Sequence, residues 1–189
     1  GAMPSADRFG DPNRAYMFNG VNNSINIPNS ATLNINGHVS ITLCAWINPD
    51  TIGIQQCVIS KWGAGGSVDD QFILAYIGNS ANSLNRIGFQ LSSTSTYLQC
   101  STQFLPRKWY FVCAVYDANN DMQQIYVNGV LDTLRSLNTT IRSTSQMVAI
   151  GTEEGVAWPF DGAIDDIRIY NNRALSATEI ETLYHEDGW

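Results

Sequence analysis

A run of carboxylates near the C-terminus has the clearest chemical potential in this sequence. Residues 160–171 read FDGAIDDIRIYN, so three aspartates and one arginine interrupt an otherwise apolar segment. Successive side chains of a strand point to opposite faces, so Asp165 and Asp166 cannot both face solvent unless the strand bulges or ends there. Buried carboxylates need a cation or hydrogen bonds. We therefore expect either a metal ion or an ion pair here, with Arg168 the nearest cation.

Two further acidic pairs and two tryptophans could form a ligand site. Asp69-Asp70 precedes one apolar strand pattern and Glu153-Glu154 follows another. Ca²⁺ binds six to eight oxygen atoms, which such loops can supply; the alternative is solvated loop acids that serve solubility. Trp158 and Trp62 are candidate sugar-contacting rings, because an aromatic ring covers the apolar C–H face of a sugar. Tyr76 and Tyr97, on the central strands, are weaker candidates. The alternative for Trp158 is packing against the edge of the fold.

Catalytic chemistry is poorly supported. Two-carboxylate glycosidases need acids held about 5–9.5 Å apart, which requires alternating acids on one strand face. Glu153 and Glu154 are adjacent and point apart if extended, and the aspartates of residues 160–171 have the wrong spacing. His38 and His185 are isolated, and neither lies beside a nucleophile motif. The sequence also contains no Walker loop and no zinc-protease motif. We expect a protein that is not an enzyme.

The composition narrows the choice of partners. The net charge of −7 argues against nucleic acid and anionic membranes as partners and is compatible with cations. Charged residues make up only 14%, and Asn, Ser and Thr take their place, as is common on extracellular β-proteins. No apolar run approaches the ~18 residues of a membrane helix, so no membrane insertion is expected. No signal peptide is visible, which indicates a mature form or an excised module.

Short alternating segments separated by Asn-Gly and Gly-rich turns predict an all-β sandwich or barrel. Asn128-Gly129, between two apolar runs, is a strong hairpin signal. We predict strands at 15–19, 24–27, 39–47, 57–62, 71–77, 86–91, 96–101, 109–117, 123–127, 147–151 and 163–170.

One helix is predicted near the C-terminus, where Ser176 and Glu179 form a capping box before an apolar stripe. We expect this helix to close one end of the sandwich. Gly1-Ala2-Met3 is typical of a cloning remnant. We therefore expect residues 1–8 to be that remnant plus a flexible N-terminus, and residues 9–189 to form a single domain.

Several segments, in order, resemble the laminin G-like and concanavalin A-like lectin/glucanase superfamily. They are AYMFNGVNN (15–23), ITLCAWINP (41–49), ISKWG (59–63), WYFV (109–112), YD (116–117), IYVNG (125–129), FDGAIDDIRIY (160–170) and RALS (173–176). The resemblance spans about residues 9–185 and implies an antiparallel two-sheet β-sandwich jelly roll. It is specific for the fold and not for the ligand.

The resemblance bears on the four cysteines, for which sequence alone allows three fully paired connectivities or four buried thiols. Pentraxins, a branch of the same superfamily, carry a disulfide between strands that match those of Cys44 and Cys113. The resemblance therefore implies a Cys44–Cys113 bridge. It has no precedent for Cys57 and Cys100, whose pairing stays open.

The resemblance also implies calcium. If the first and last strands pair as in the family, Asn19 meets Asp165 and Asp166, where similar modules often hold a structural calcium ion. Pentraxin loops matching those of Asp69, Asp70 and Glu153, with Glu154 adjoining, bind calcium that in turn binds the ligand. The third pentraxin acid falls near Gly155 here, which favours a single weaker calcium ion or none.

We expect a secreted or cell-surface, non-catalytic, lectin-like module that binds carbohydrate, with calcium as a structural or bridging ion. Its expected ligand-binding residues are Trp62, Asp69, Asp70, Glu153 and Trp158. The alternatives are an adhesion module that binds an extracellular protein and a passive structural domain of a larger secreted protein.

Overall fold

The computed structural model describes residues 1–63, 70–77, 85–92, 94, 96–153 and 157–188. Within these ranges, two antiparallel sheets pack face to face. The seven-stranded sheet contains, in spatial order, β1 (Met3–Ser5), β2 (Ala15–Asn19), β13 (Asp161–Asn171), β4 (Ile41–Pro49), β9 (Tyr110–Asp117), β10 (Met122–Val127) and β11 (Val130–Ser136). The six-stranded sheet contains β3 (Ile25–Ile27), β12 (Val148–Ile150), β5 (Gln56–Lys61), β6 (Phe72–Ile77), β7 (Arg86–Leu91) and β8 (Leu98–Gln99). The predicted jelly-roll sandwich is confirmed.

Alternation along the strands separates the core from the outer faces. In β4, Leu43 and Ala45 point into the space between the sheets, whereas Cys44 and Trp46 point outward. The inner face of the other sheet supplies Leu74 and Phe89, among others. Each large apolar side chain buried in this way contributes about 1.5–3 kcal/mol, so the core between the sheets supplies most of the stabilisation.

The outer face of the seven-stranded sheet is covered by the helix α1 (Ala177–Tyr184), and we call it the sealed face. Ile180 and Leu175 pack there against Trp46 and Phe111. The predicted capping box is confirmed, since the Ser176 side chain accepts the Glu179 backbone N–H at 3.3 Å. The helix therefore covers a sheet rather than closing an end, because β4 and β9 are apolar on both faces and both faces need cover. No described helix is long and apolar enough to span a membrane.

The disulfide lies on the sealed face. Cys44 and Cys113 are directly opposite each other on β4 and β9 and form the bridge implied by the family resemblance. Cys57 and Cys100 are buried free thiols. A direct link between neighbouring central strands ties the two halves of the sheet together across a separation of 69 residues.

The N-terminal segment packs with the domain from residue 3 onward, although we expected the domain to begin at residue 9. Met3–Ser5 pairs antiparallel with Ala15–Met17 at the edge of the sheet. The side chain of Arg8 is only 2% exposed. The reason lies in tertiary contacts that a local pattern does not reveal: an edge strand needs a neighbour, and Arg8 has two carboxylate partners.

Candidate functional site

The two adjacent aspartates of β13 occupy a β-bulge. Asp165 lies opposite Trp46 and Arg168 opposite Cys44, so β13 has one extra residue between these pairs. Asp166 adopts a φ of +45°, in the left-handed region. The bulge is how the strand accommodates consecutive carboxylates, as the sequence argument required.

Arg8 binds both carboxylates. Its Nη1 donates to Oδ2 of Asp165 at 3.1 Å and to Oδ2 of Asp166 at 2.9 Å, and its guanidinium lies 4.7 Å from the centre of the Trp46 ring. Burial and the neighbouring Asp166 raise the pKa of Asp165 despite Arg8. The expected cation, Arg168, instead pairs with Glu186 at 2.5 Å. Asp165, Asp166 and Arg168 are thus arranged in ion pairs, whereas Asp161 accepts a hydrogen bond from the Thr51 hydroxyl.

Asn19 does not join Asp165 and Asp166. The first and last strands do pair, as the resemblance implied, but their register places Asn19 opposite Asp161. The Oδ1 atom of Asn19 accepts three backbone N–H groups in the turn that follows, those of residues 21–23. The three side chains predicted to share a structural calcium ion are therefore not assembled around one point, and they do not fit that ion.

The predicted ligand rings Trp62 and Trp158 both lie on the outer face of the six-stranded sheet. Cys57, Ile73 and Ala75 form the floor there, and three half-buried aromatic side chains pack against it: Trp62, Tyr97 and Trp158. We call this surface the ring face. Its rings have a buried side fixed by the sheet and an exposed remainder, which is the arrangement a stacking ligand needs.

Trp158 is held by the backbone around it. Its carbonyl accepts the Cys57 N–H at 2.8 Å. Glu153 and Ala157 close the base of its loop through two backbone hydrogen bonds, of 2.7 and 2.9 Å. Trp158 has a φ of +49°, which is unusual for a bulky residue. Strained conformations of this kind cluster at ligand sites.

Tyr97, a weaker candidate from the sequence, packs on the ring face with the two tryptophans, whereas Tyr76 is buried in the core between the sheets. A Cβ added to Gly88 would lie 2.9 Å from Cδ1 of Tyr97, so the glycine allows the ring to lie against β7. Burial raises the pKa of Tyr97, and nearby Cys57, Glu153 and Asp70 raise it further. The available signal was the glycine in the middle of an apolar strand, which marks a close approach.

The predicted acids approach the ring face in part. Asp70 and Glu153 both lie close enough to act electrostatically on Tyr97. Asp70 is buried, and its Oδ1 accepts the Gly63 N–H at 3.3 Å. Asp69 and Glu154 lie outside the described residues. In the part of the chain that is described, no group of three or more His, Cys, Asp or Glu side chains could hold a metal ion.

The family comparison agrees with this architecture. Residues 19–181 match the family model described as the concanavalin A-like lectin/glucanases superfamily. The chain belongs to this superfamily. No curated protein matches the sequence.

Solved structures share the fold at low sequence identity. Domain 4 of the extracellular arabinanase AbnA from Geobacillus stearothermophilus, in complex with arabinotriose, is 17% identical with a TM-score of 0.70, over 97% of this chain and 81% of that one. The carbohydrate-binding module CBM40 of the Ruminococcus gnavus IT-sialidase, bound to α2,3-sialyllactose, is 19% identical with a TM-score of 0.63, over 87% and 99%. A heptameric SAP-like pentraxin from Limulus polyphemus is 20% identical with a TM-score of 0.62, over 87% and 82%.

Proposed function

We propose that this chain is a non-catalytic carbohydrate-binding module of a secreted or cell-surface protein, and that it binds glycan on the ring face. The observation that carries the proposal is the trio Trp62, Tyr97 and Trp158, three half-buried rings packed on one sheet surface. Structural relatives solved with arabinotriose and sialyllactose support it by analogy of fold. The disulfide is consistent with an oxidising compartment.

The glycan we propose is neutral. Asp70 and Glu153 place negative charge beside Tyr97, so a sialic acid carboxylate would meet like charge there. Neutral hydroxyl groups, by contrast, can donate hydrogen bonds to these carboxylates while a ring covers the C–H face of the sugar. This choice separates the chain from the sialidase module, although the two share a fold.

Calcium belongs to the proposal only at the ring face. Asp70 and Glu153 are the described carboxylates that would share an ion, with water and sugar oxygens completing its coordination. Such an ion would neutralise the two carboxylates, so the preference for neutral glycans applies to the site without calcium. EDTA is then expected to weaken glycan binding and calcium to restore it. If affinity is the same with and without EDTA, rings and hydrogen bonds alone form the site.

A glycan array tests the main proposal. In calcium-free buffer we expect binding to neutral glycans and none to sialylated ones. Trp158→Ala is expected to lower affinity at least about tenfold, since rings dominate such interfaces and a tenfold loss is only about 1.4 kcal/mol. Gly88→Ala should weaken binding too, because the added Cβ would crowd both Tyr97 and the neighbouring Ile77 and so shift the Tyr97 ring.

The matched control is Trp109→Ala. Trp109 is also half-buried, but it packs against the sealed face, so its loss should leave glycan affinity unchanged. An array without any binding would refute the proposal and favour a protein-binding or structural role. Equal losses from Trp158→Ala and Trp109→Ala would place the glycan elsewhere.

A further inference from the structure

A groove opens where the two sheets diverge at their edges. It lies between β2 and β13 of one sheet and β3 and β12 of the other and has a volume of about 360 Å³. Its apolar wall consists of Phe18, Ile25, Ile150, Ile164 and Ile167. This volume lies within the usual ~300–1,000 Å³ of small-molecule sites, and the groove is separate from the ring face.

One end of the groove is polar. Arg14, Asp165 and Asp166 line it there, and the same three residues line an adjoining polar depression of about 350 Å³. The charged residues of this depression are Asp7, Arg8, Asp11, Arg14, Asp165 and Asp166. Four carboxylates therefore face two guanidinium groups, and the polar end of the groove is net negative.

Asp166 is the carboxylate best placed to meet a ligand. Its side chain is 35% exposed, whereas that of Asp165 is 9% exposed. The β-bulge holds Asp166 at the point where the apolar groove and the polar depression meet. Its Oδ2 atom already accepts a hydrogen bond from Arg8, so a cation at this point would add a second charge-assisted hydrogen bond to the same carboxylate.

We propose that this groove binds a small amphiphilic cation, with an apolar body against the isoleucines and an ammonium head at Asp166. Apolar burial supplies the affinity, and the net negative end selects the sign of the head group. A carboxylate head would meet repulsion from the excess of carboxylates. An alcohol would gain the apolar contact and lose the ionic one.

Three probes of similar shape separate the apolar contribution to binding from the ionic one. They are adamantylmethylamine, adamantylmethanol and adamantanecarboxylate. Each is titrated into the isotope-labelled protein while the isoleucine methyl NMR signals are followed. We expect the amine to shift the signals of the groove isoleucines and to bind about tenfold more tightly than the alcohol, a difference of about 1.4 kcal/mol. The carboxylate is expected to bind most weakly.

Two variants assign the ionic and the apolar contributions to particular residues. Asp166→Asn keeps a side chain that tolerates the left-handed conformation, and it should abolish the preference for the amine over the alcohol. Ile25→Phe, which narrows the groove, should weaken both probes. Glu181→Gln is the control, because it removes the same charge from the exposed surface of the helix. Thermal melts establish that each variant is folded.

The outcomes decide the proposal. Equal binding of the amine and the alcohol would overturn it, as would an amine preference that survives Asp166→Asn or probes that shift no groove signal. Glycan binding is measured on the same samples. Because the ring face is separate from the groove, a loss of binding at one of these sites does not count for or against binding at the other.

Discussion

The outer faces of the two sheets differ in what covers them. The sealed face lies under the chain's own helix and Arg8, and Trp46 at its centre is 1% exposed and stacked on Tyr184 at 5.6 Å between ring centres. The ring face has a buried floor, but its three rings remain partly exposed. Apolar surface that the chain completes itself contributes to stability, and apolar surface that it leaves partly exposed is available to a ligand.

The largest expected effect contrasts a tryptophan from each face. Trp46→Ala should lower the free energy of unfolding by about 3–5 kcal/mol, because it opens a cavity among fully packed rings. Trp158→Ala should cost less than about 1.5 kcal/mol, since part of that side chain is already exposed to water. Urea denaturation measures both. Equal losses would show that the ring face is as much a structural core as the sealed face.

The second prediction concerns how much the ion pairs of Arg8, beneath which Trp46 lies, contribute to the stability of the sealed face. Arg8→Met leaves two carboxylates without their cation and should cost about 2–4 kcal/mol, somewhat below a fully buried pair because Asp166 is partly exposed. Adding Asp165→Asn and Asp166→Asn to this variant should recover much of the loss. If the triple variant is no more stable than Arg8→Met, the contribution of Arg8 is packing on Trp46 rather than charge.

A smaller effect is expected at the start of the covering helix. Ser176→Ala removes the acceptor of the Glu179 N–H and should cost about 1 kcal/mol. Ser176→Asp keeps an acceptor and serves as the control, with stability close to the parent. Neither variant should change glycan affinity, because the helix lies on the sealed face. A change in affinity would mean that the two faces are coupled.

The smallest expected effect is a pH dependence at one end of the seven-stranded sheet. His38 Nδ1 lies 2.9 Å from the Thr139 carbonyl and Nε2 lies 2.8 Å from that of Ala118, and only the imidazolium can donate both bonds. The bond to Thr139 is the main cause that raises the pKa of His38, with partial burial opposing it.

Because this pKa is raised on folding, the stabilisation is complete below the unfolded value of about 6.5 and is lost as pH rises through the folded value. The melting temperature should fall slightly over that interval. His38→Asn should remove this component of the pH dependence. A parent protein whose melting temperature rises over the same interval would contradict the assignment.

Local patterns predicted much of the fold and named two rings of the candidate site. Alternating apolar residues located the central strands, and the Ser176–Glu179 capping box located the helix, because both signals depend on neighbours in sequence. Trp158 and Trp62 were found because a tryptophan at a strand end or in a loop stands out. Tyr97 was only a weaker candidate because its position on the ring face depends on Gly88 in β7.

The last strand, β13, shows most clearly which features the sequence determines and which depend on the tertiary structure. Sequence alone determined that Asp165 and Asp166 require a bulge and a compensating partner, since strand geometry and the cost of burying charge are local matters. Only the tertiary structure decided that the partner is Arg8, which is 157 residues away from Asp165. An ion pair of this kind depends on where a distant segment packs, and here a ring of the sealed face and the edge of the sheet hold that segment in place.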